Sequence, residues 1–183
     1  MKLLNLNTAK FSICLIFNCL YAKLSSMRGC FIGHGLIFDD SIEDAIFNVV
    51  KDLIDKGYDS FIMGEHGDYD RMALSACRRV KRIYPYIKIE VVVTNLNKLN
   101  GDKNCLISMS KNTNELFVVY DIESEHYKRK IIVSNQKMID DSNFVIAYVD
   151  VLRKSGGAIR SWKYALKRNK EIINLYKNNS KSK

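Results

Sequence analysis

Three short segments carry residue types that could bind or transform a small molecule. Gly33-His34-Gly35 follows a short apolar run, and Gly64-Glu65-His66-Gly67-Asp68-Tyr69-Asp70 follows a second. Ser155-Gly156-Gly157-Ala158 opens an amphipathic stretch. Glycine lets the backbone approach a ligand, and a helix that begins just after it offers unpaired N–H groups to an anion. The amides of Gly156 and Gly157 can therefore cradle a phosphate, although a lone Gly-Gly also suits a plain tight turn. Asp70 and Glu65 are the candidate catalytic acid/base groups, a role that needs a pKa near the working pH and reach to the ligand. Asp70 falls in the first turn of its helix, where it can cap the helix or hold a ribose hydroxyl. His34 and His66 each follow a strand and could approach each other beside Asp68 or Asp70. Their spacing does not support a metal site, and no metal is expected. Neither histidine has an obvious nucleophile partner in sequence, so no triad is indicated.

The elements around these segments alternate. Cys30-Phe31-Ile32 reads as a strand, and Ile42, Ala45, Ile46, Val49, Val50, Leu53 and Ile54 keep a 3.6-residue period over a helix from about Ser41 to Lys56. Asp40 or Ser41 can cap its start, and Gly57 can close its end. Ser60–Met63 is the next strand. A second helix runs from about Tyr69 to Tyr84, with Pro85 preventing its continuation. Ile87–Val93 is the clearest β segment. Residues 94–115 are polar and loop-like, and Leu116–Tyr120 is a further strand candidate. A helix over 128–141, a buried strand at Phe144–Val149, a helix from Gly157 to Arg168 and a strand at Glu171–Leu175 follow. Strands separated by helices imply parallel pairing with right-handed crossovers. The expected fold is therefore α/β: a Rossmann-like, doubly wound, mainly parallel sheet with helices on both faces. Such sheets bind ligands at the carboxyl ends of the strands, near a switch in strand order. That rule puts all three glycine-bearing segments on one edge.

Composition sets the outer limits. The chain has 183 residues, 47% of them hydrophobic and 27% charged, which suits one domain with a real core. Its formal net charge is +9. The cations are dispersed: Arg78, Arg79, Lys81 and Arg82 share one expected helix, and Lys163, Lys167, Arg168 and Lys170 lie around another. Solvated helix faces explain this pattern, and no recognised nucleic-acid motif accompanies it. The five cysteines are odd in number and show no CxxC spacing, which fits a reducing cytosol, so a cytoplasmic location is expected. Residues 1–26 include the apolar run Phe11–Ala22, which is too short to span a bilayer. The expectation is that Met27 begins the domain and that 1–26 is upstream sequence. A signal-like segment and an extra N-terminal element are the alternatives. The domain then covers 27–176, and 177–183 forms a frayed basic tail.

On these motifs the chain resembles the SLOG superfamily, the Rossmann-like group that includes YpsA-like proteins, lonely-guy phosphoribohydrolases and the DNA-processing protein DprA. The resemblance runs along nearly all of 28–176 and is nearest to the YpsA-like branch. Cys30-Phe31-Ile32-Gly33-His34 looks like its opening strand and Gly-His. The stretch from Gly64 through Gly67-Asp68-Tyr69-Asp70-Arg71-Met72 is similar to its GxxGxFDRM segment, the most specific match. Tyr84-Pro85-Tyr86-Ile87 is similar to the approach to its third strand, and Asn135-x-x-Met138-Ile139-x-x-Ser142 to its RNxxMIxxSD segment. The chain departs from the pattern at Gly35, Ser134 and Asn143, where the family carries Arg, Arg and Asp. After Gly156-Gly157 it lacks the Glu of the hydrolase motif GGxGTxxE. Arg160 or Arg71 could supply the lost positive charge.

These readings imply a nucleotide-type small molecule as the partner. The ligand-binding set would be Gly33, His34, Gly64, Gly67, Asp70, Arg71, Asn135, Ser155, Gly156 and Gly157. Binding without chemistry is the first expectation, because the hydrolase Glu is missing. An N-glycosidic, phosphoribohydrolase-type hydrolase using Asp70 or Glu65 is the second. A degenerate scaffold, as a homo-oligomer, is the third. Trp162 could serve an interface, but a tryptophan on that helix suits the core better. Neither specific nucleic acid nor membrane is indicated as a partner.

Overall fold

The computed structural model describes residues 26–93, 115–118, 120 and 126–177. Of the expected loop at 94–115 only Glu115 is described; the rest of it, the segment 1–25 and the tail beyond residue 177 lie outside the described residues. So do Cys14, Cys19 and Cys105. The chain runs β1 (Met27–Gly33), α1 (Ser41–Asp55), β2 (Tyr58–Met63), α2 (Asp68–Lys81), β3 (Lys88–Val92) and β4 (Leu116–Val118). It continues as α3 (Tyr127–Asp140), β5 (Phe144–Tyr148), α4 (Gly157–Lys167) and β6 (Glu171–Asn174). Among the described residues, six strands form one sheet in the order β4-β3-β2-β1-β5-β6, and every adjacent pair is parallel. This is the expected doubly wound α/β architecture. The winding direction reverses between β1 and β5, so the switch point lies at their carboxyl ends.

Side-chain alternation explains the layers. Along β1, Phe31 faces one core while Cys30 and Ile32 face the other. β5 repeats the pattern, with Phe144 and Ile146 on the first side and Val145 and Ala147 on the second. α1 and α2 cover the first face through Ile42, Ile46, Val50, Ala73 and Val80. α3 and α4 cover the second through Met138, Ile139, Ile159 and Ala165. Trp162 is half-buried and packs against this second core, as its helical position suggested.

Two helix ends differ from expectation. Asp39, one residue earlier than expected, satisfies the start of α1: its Oδ1 accepts from the Ser41 backbone N–H at 3.0 Å and from Ser41 Oγ at 2.6 Å. α2 ends at Lys81, three residues short of Tyr84, because the N–H groups of Ile83 and Tyr84 both turn back to the Val80 carbonyl. The tight turn leaves Pro85 in the connection, where its missing N–H costs nothing. Gly57, at φ 94°, closes α1 in a conformation that other residues reach only with strain.

Several basic residues are paired. Arg78 bridges to the buried Glu115, with its Nε 2.5 Å from Oε1. Arg79 contacts Glu43 and Asp44 at 3.1 and 2.8 Å. Arg168 lies 2.8 Å from Asp140. These partners come from elements distant in sequence, so composition alone showed the cations and hid their counter-ions.

Candidate functional site at the switch point

A cavity of about 670 Å³ opens where β1 and β5 diverge. Its walls are the β1–α1 loop from His34 to Asp39, together with Tyr148, Arg153 and Tyr176. Each wall has a local cause. β1 ends at Gly33, and the next N–H, of His34, donates to the Tyr148 carbonyl at 3.2 Å, which ties the two strand ends together. Asn174 clamps the neighbouring strand end: its Oδ1 accepts from the Val149 N–H at 3.0 Å and its Nδ2 donates to the Val149 carbonyl at 2.8 Å. That clamp sets Tyr176 beside Tyr148, with ring centroids 5.2 Å apart. Tyr148 in turn lies stacked on the buried Tyr69 at 5.9 Å, and Tyr69 donates its hydroxyl to the Ile146 carbonyl at 3.2 Å. The aromatic wall is thus braced from behind by a ring that cannot easily move.

His34 faces both rings edge-on, at 6.3 Å from Tyr148 and 6.1 Å from Tyr176. Its Nε2 lies 2.8 Å from the backbone nitrogen of Asp150. A backbone N–H can only donate, so Nε2 is an unprotonated acceptor and the ring proton resides on Nδ1. Burial lowers the His34 pKa, and the charge of Arg153 lowers it further, against the opposing pull of Asp150. The imidazole is therefore held neutral. Arg153 projects from the β5–α4 loop with its Nε 3.7 Å from Asp150, too long for a hydrogen bond, and its side chain is 61% exposed. It can thus swing onto an anion. Asp39 completes the rim as a carboxylate anchored by Ser41.

The β2–α2 loop forms a second cluster. Gly67 adopts φ 111°, and a Cβ there would meet the Gly35 Cα at 2.7 Å. The Asp68 N–H donates to the Gly35 carbonyl at 2.9 Å, and Asp68 Oδ2 accepts from the Ile37 N–H at 3.0 Å. The first two glycine segments therefore touch, as their common edge requires. Asp70 turns back under the loop, where its Oδ2 accepts from the His66 N–H at 2.9 Å. A Cβ on Gly64 would meet that same oxygen at 2.8 Å. Burial pushes the Asp70 pKa up to about 7; the His66 N–H opposes the rise, and the charge of Glu65 adds to it. Glu65 itself lies 3.5 Å from His66 Nε2. The Tyr127 hydroxyl reaches His66 Nδ1 at 3.2 Å.

The remaining sequence candidates are dispersed. Arg71 is exposed and ion-paired to Asp68. Asn135 donates to Ser161 Oγ at 3.3 Å and links α3 to α4 behind the sheet. Ser155, Gly156 and Gly157 are exposed at the start of α4, of which Gly157 is the first residue, and a Cβ on either glycine would meet nothing within 4 Å. Gly33 is explained by packing, since Tyr69 occupies the space beside its Cα. Of the ten expected ligand contacts, His34 is the one that lines this cavity. Tyr148, Tyr176, Arg153 and Asp39 were not among them. Tyr148 and Tyr176 each lie at or just past the end of an apolar strand run, and that position was the available signal. Among the described residues, no group of three His, Cys, Asp or Glu side chains is arranged to hold a metal ion. Among the same residues, no helix is long and apolar enough to cross a membrane. No protein-family model matches the chain, and comparison with curated proteins finds no relative.

Proposed function

We propose that the protein binds a nucleotide-type ligand in the switch-point cavity, with the ring system against Tyr148 and Tyr176 and the anionic group on Arg153. The observation that carries this reading is the cavity's composition. A braced aromatic wall, a half-engaged arginine and a rim carboxylate converge at the edge where doubly wound sheets bind ligands. Aromatic faces accept bases by stacking, and a guanidinium matches phosphate geometry. Asp39 is an acceptor suited to sugar hydroxyls. The volume of about 670 Å³ falls in the range of small-molecule sites. The resemblance to the SLOG superfamily, and to its YpsA-like branch, supports the same edge. Mass spectrometry of material released on denaturing the purified protein tests the reading. A stoichiometric nucleotide or nucleotide fragment is expected, and its release should be lost in Arg153→Ala.

Asp70 favours a second reading. A carboxyl group with a pKa of about 7 is matched to proton transfer near neutrality. The reading is an N-glycosidic hydrolase, with Asp70 as acid/base. Release of free base from nucleoside monophosphates by the wild type, abolished in Asp70→Asn, is its expected result. No release by the wild type ends it for those substrates.

A further inference from the structure

Tyr127, His66 and Glu65 stand in the order of nucleophile, base and orienting group. Glu65 belongs to the β2–α2 loop, as does His66, while Tyr127 is the first residue of α3. The Glu65 carboxylate lies 3.5 Å from His66 Nε2, and the Tyr127 hydroxyl lies 3.2 Å from His66 Nδ1, with the two rings edge-on at 81°. The roles of the two ring nitrogens depend on the tautomer. With the proton on Nε2, the nitrogen on the Glu65 side, Nδ1 presents its lone pair to the phenolic O–H. The distances fit an activated nucleophile before a substrate draws it tighter. The Asp70 carboxylate holds the loop that carries this histidine, through the His66 N–H.

The surroundings indicate the kind of electrophile. α3 spans 14 residues and has no acidic residue in its first turn, where Lys128, Arg129 and Lys130 follow Tyr127. Cations at the positive end of a helix dipole are placed unfavourably until an anion joins them. We propose that Tyr127 is a nucleophile that takes a phosphoryl group from an anionic phosphoric anhydride, with His66 as its general base. In that step the phenolic oxygen attacks phosphorus and a new O–P bond forms. The P–O bond to the leaving phosphate breaks and carries its electron pair away. The phenolic proton passes to His66 Nδ1. Glu65 acts as a positioning residue.

Diisopropyl fluorophosphate, an electrophilic phosphorus reagent whose P–F bond breaks in the same way, tests the assignment on the full chain. Tyr86 serves as the internal control, because it is 63% exposed against 48% for Tyr127. Peptide mapping should find Tyr127 labelled at least tenfold faster than Tyr86. The His66→Gln variant should bring Tyr127 down to the rate of Tyr86, with the melting temperature checked alongside. Glu65→Gln should slow labelling several-fold. Labelling of Tyr127 no faster than Tyr86, or unchanged labelling in a folded His66→Gln protein, overturns the proposal. Neither readout depends on ligand binding in the switch-point cavity.

Discussion

The ring of Tyr69 fills the space that a side chain on Gly33 would need: a Cβ built there would meet Tyr69 Cγ at 2.3 Å. Tyr69 is fully buried and tied to the Ile146 carbonyl, so it cannot yield easily. Gly33→Ala should therefore destabilise the protein by about 1–3 kcal/mol, the usual cost of overpacking. It should also displace Tyr148, which stacks on Tyr69. Urea unfolding measures the first effect, and loss of cavity binding the second. An unchanged midpoint would show that the ring relaxes freely.

Asp70 gives the protein a pH signature. Its carboxyl group titrates at about 7 in the folded state, above the ordinary value of 3.8. Below about pH 4 both folded and unfolded forms hold the proton, whereas between about pH 4 and 7 the folded form holds it preferentially. The contribution of Asp70 to stability is therefore greatest in acid and declines as pH rises through that window. Asp70→Asn keeps an acceptor for the His66 N–H and removes the charge. Its melting temperature relative to wild type should rise from pH 5 to about pH 7 and level off above it. A difference independent of pH would place the Asp70 pKa back in the ordinary range.

Much of the fold was legible because its signals are local. The 3.6-residue period of Ile42, Ile46, Val50 and Leu53 and the apolar run at Phe144–Ala147 mark elements that need no distant partner to be recognised. The alternation of strands and helices then forced parallel pairing. The site was less legible, because its walls meet only in three dimensions. Tyr148 and Tyr176 are 28 positions apart, and the clamp through Asn174 that joins them has no sequence signature. Glycine proved an ambiguous marker. Gly33 and Gly67 are small because Tyr69 and Gly35 crowd them, whereas Gly156 and Gly157 border open space. The partnership of His66 with Tyr127 spans 61 residues and was hidden for the same reason.

Ser134 offers a test of the packing behind the sheet. Its side chain is buried, and Oγ has no hydrogen-bond partner among the described residues. A buried hydroxyl without a partner costs about 1–3 kcal/mol. Ser134→Ala should thus leave stability unchanged or raise it by about 1 kcal/mol. Thermal unfolding at neutral pH measures this, and a clear loss of stability would reveal a bond made by that hydroxyl.

The most direct test of the central claim is a thermal-shift titration of the wild type, Arg153→Ala and Tyr176→Ala with nucleoside monophosphates. At a hundredfold excess over Kd, binding should stabilise the wild type by about 2.7 kcal/mol. Either substitution should sharply reduce the shift, because one removes the anion partner and the other removes one ring of the half-buried pair that lines the cavity. A wild type that no nucleotide stabilises, or equal shifts in all three proteins, would contradict the assignment of this cavity.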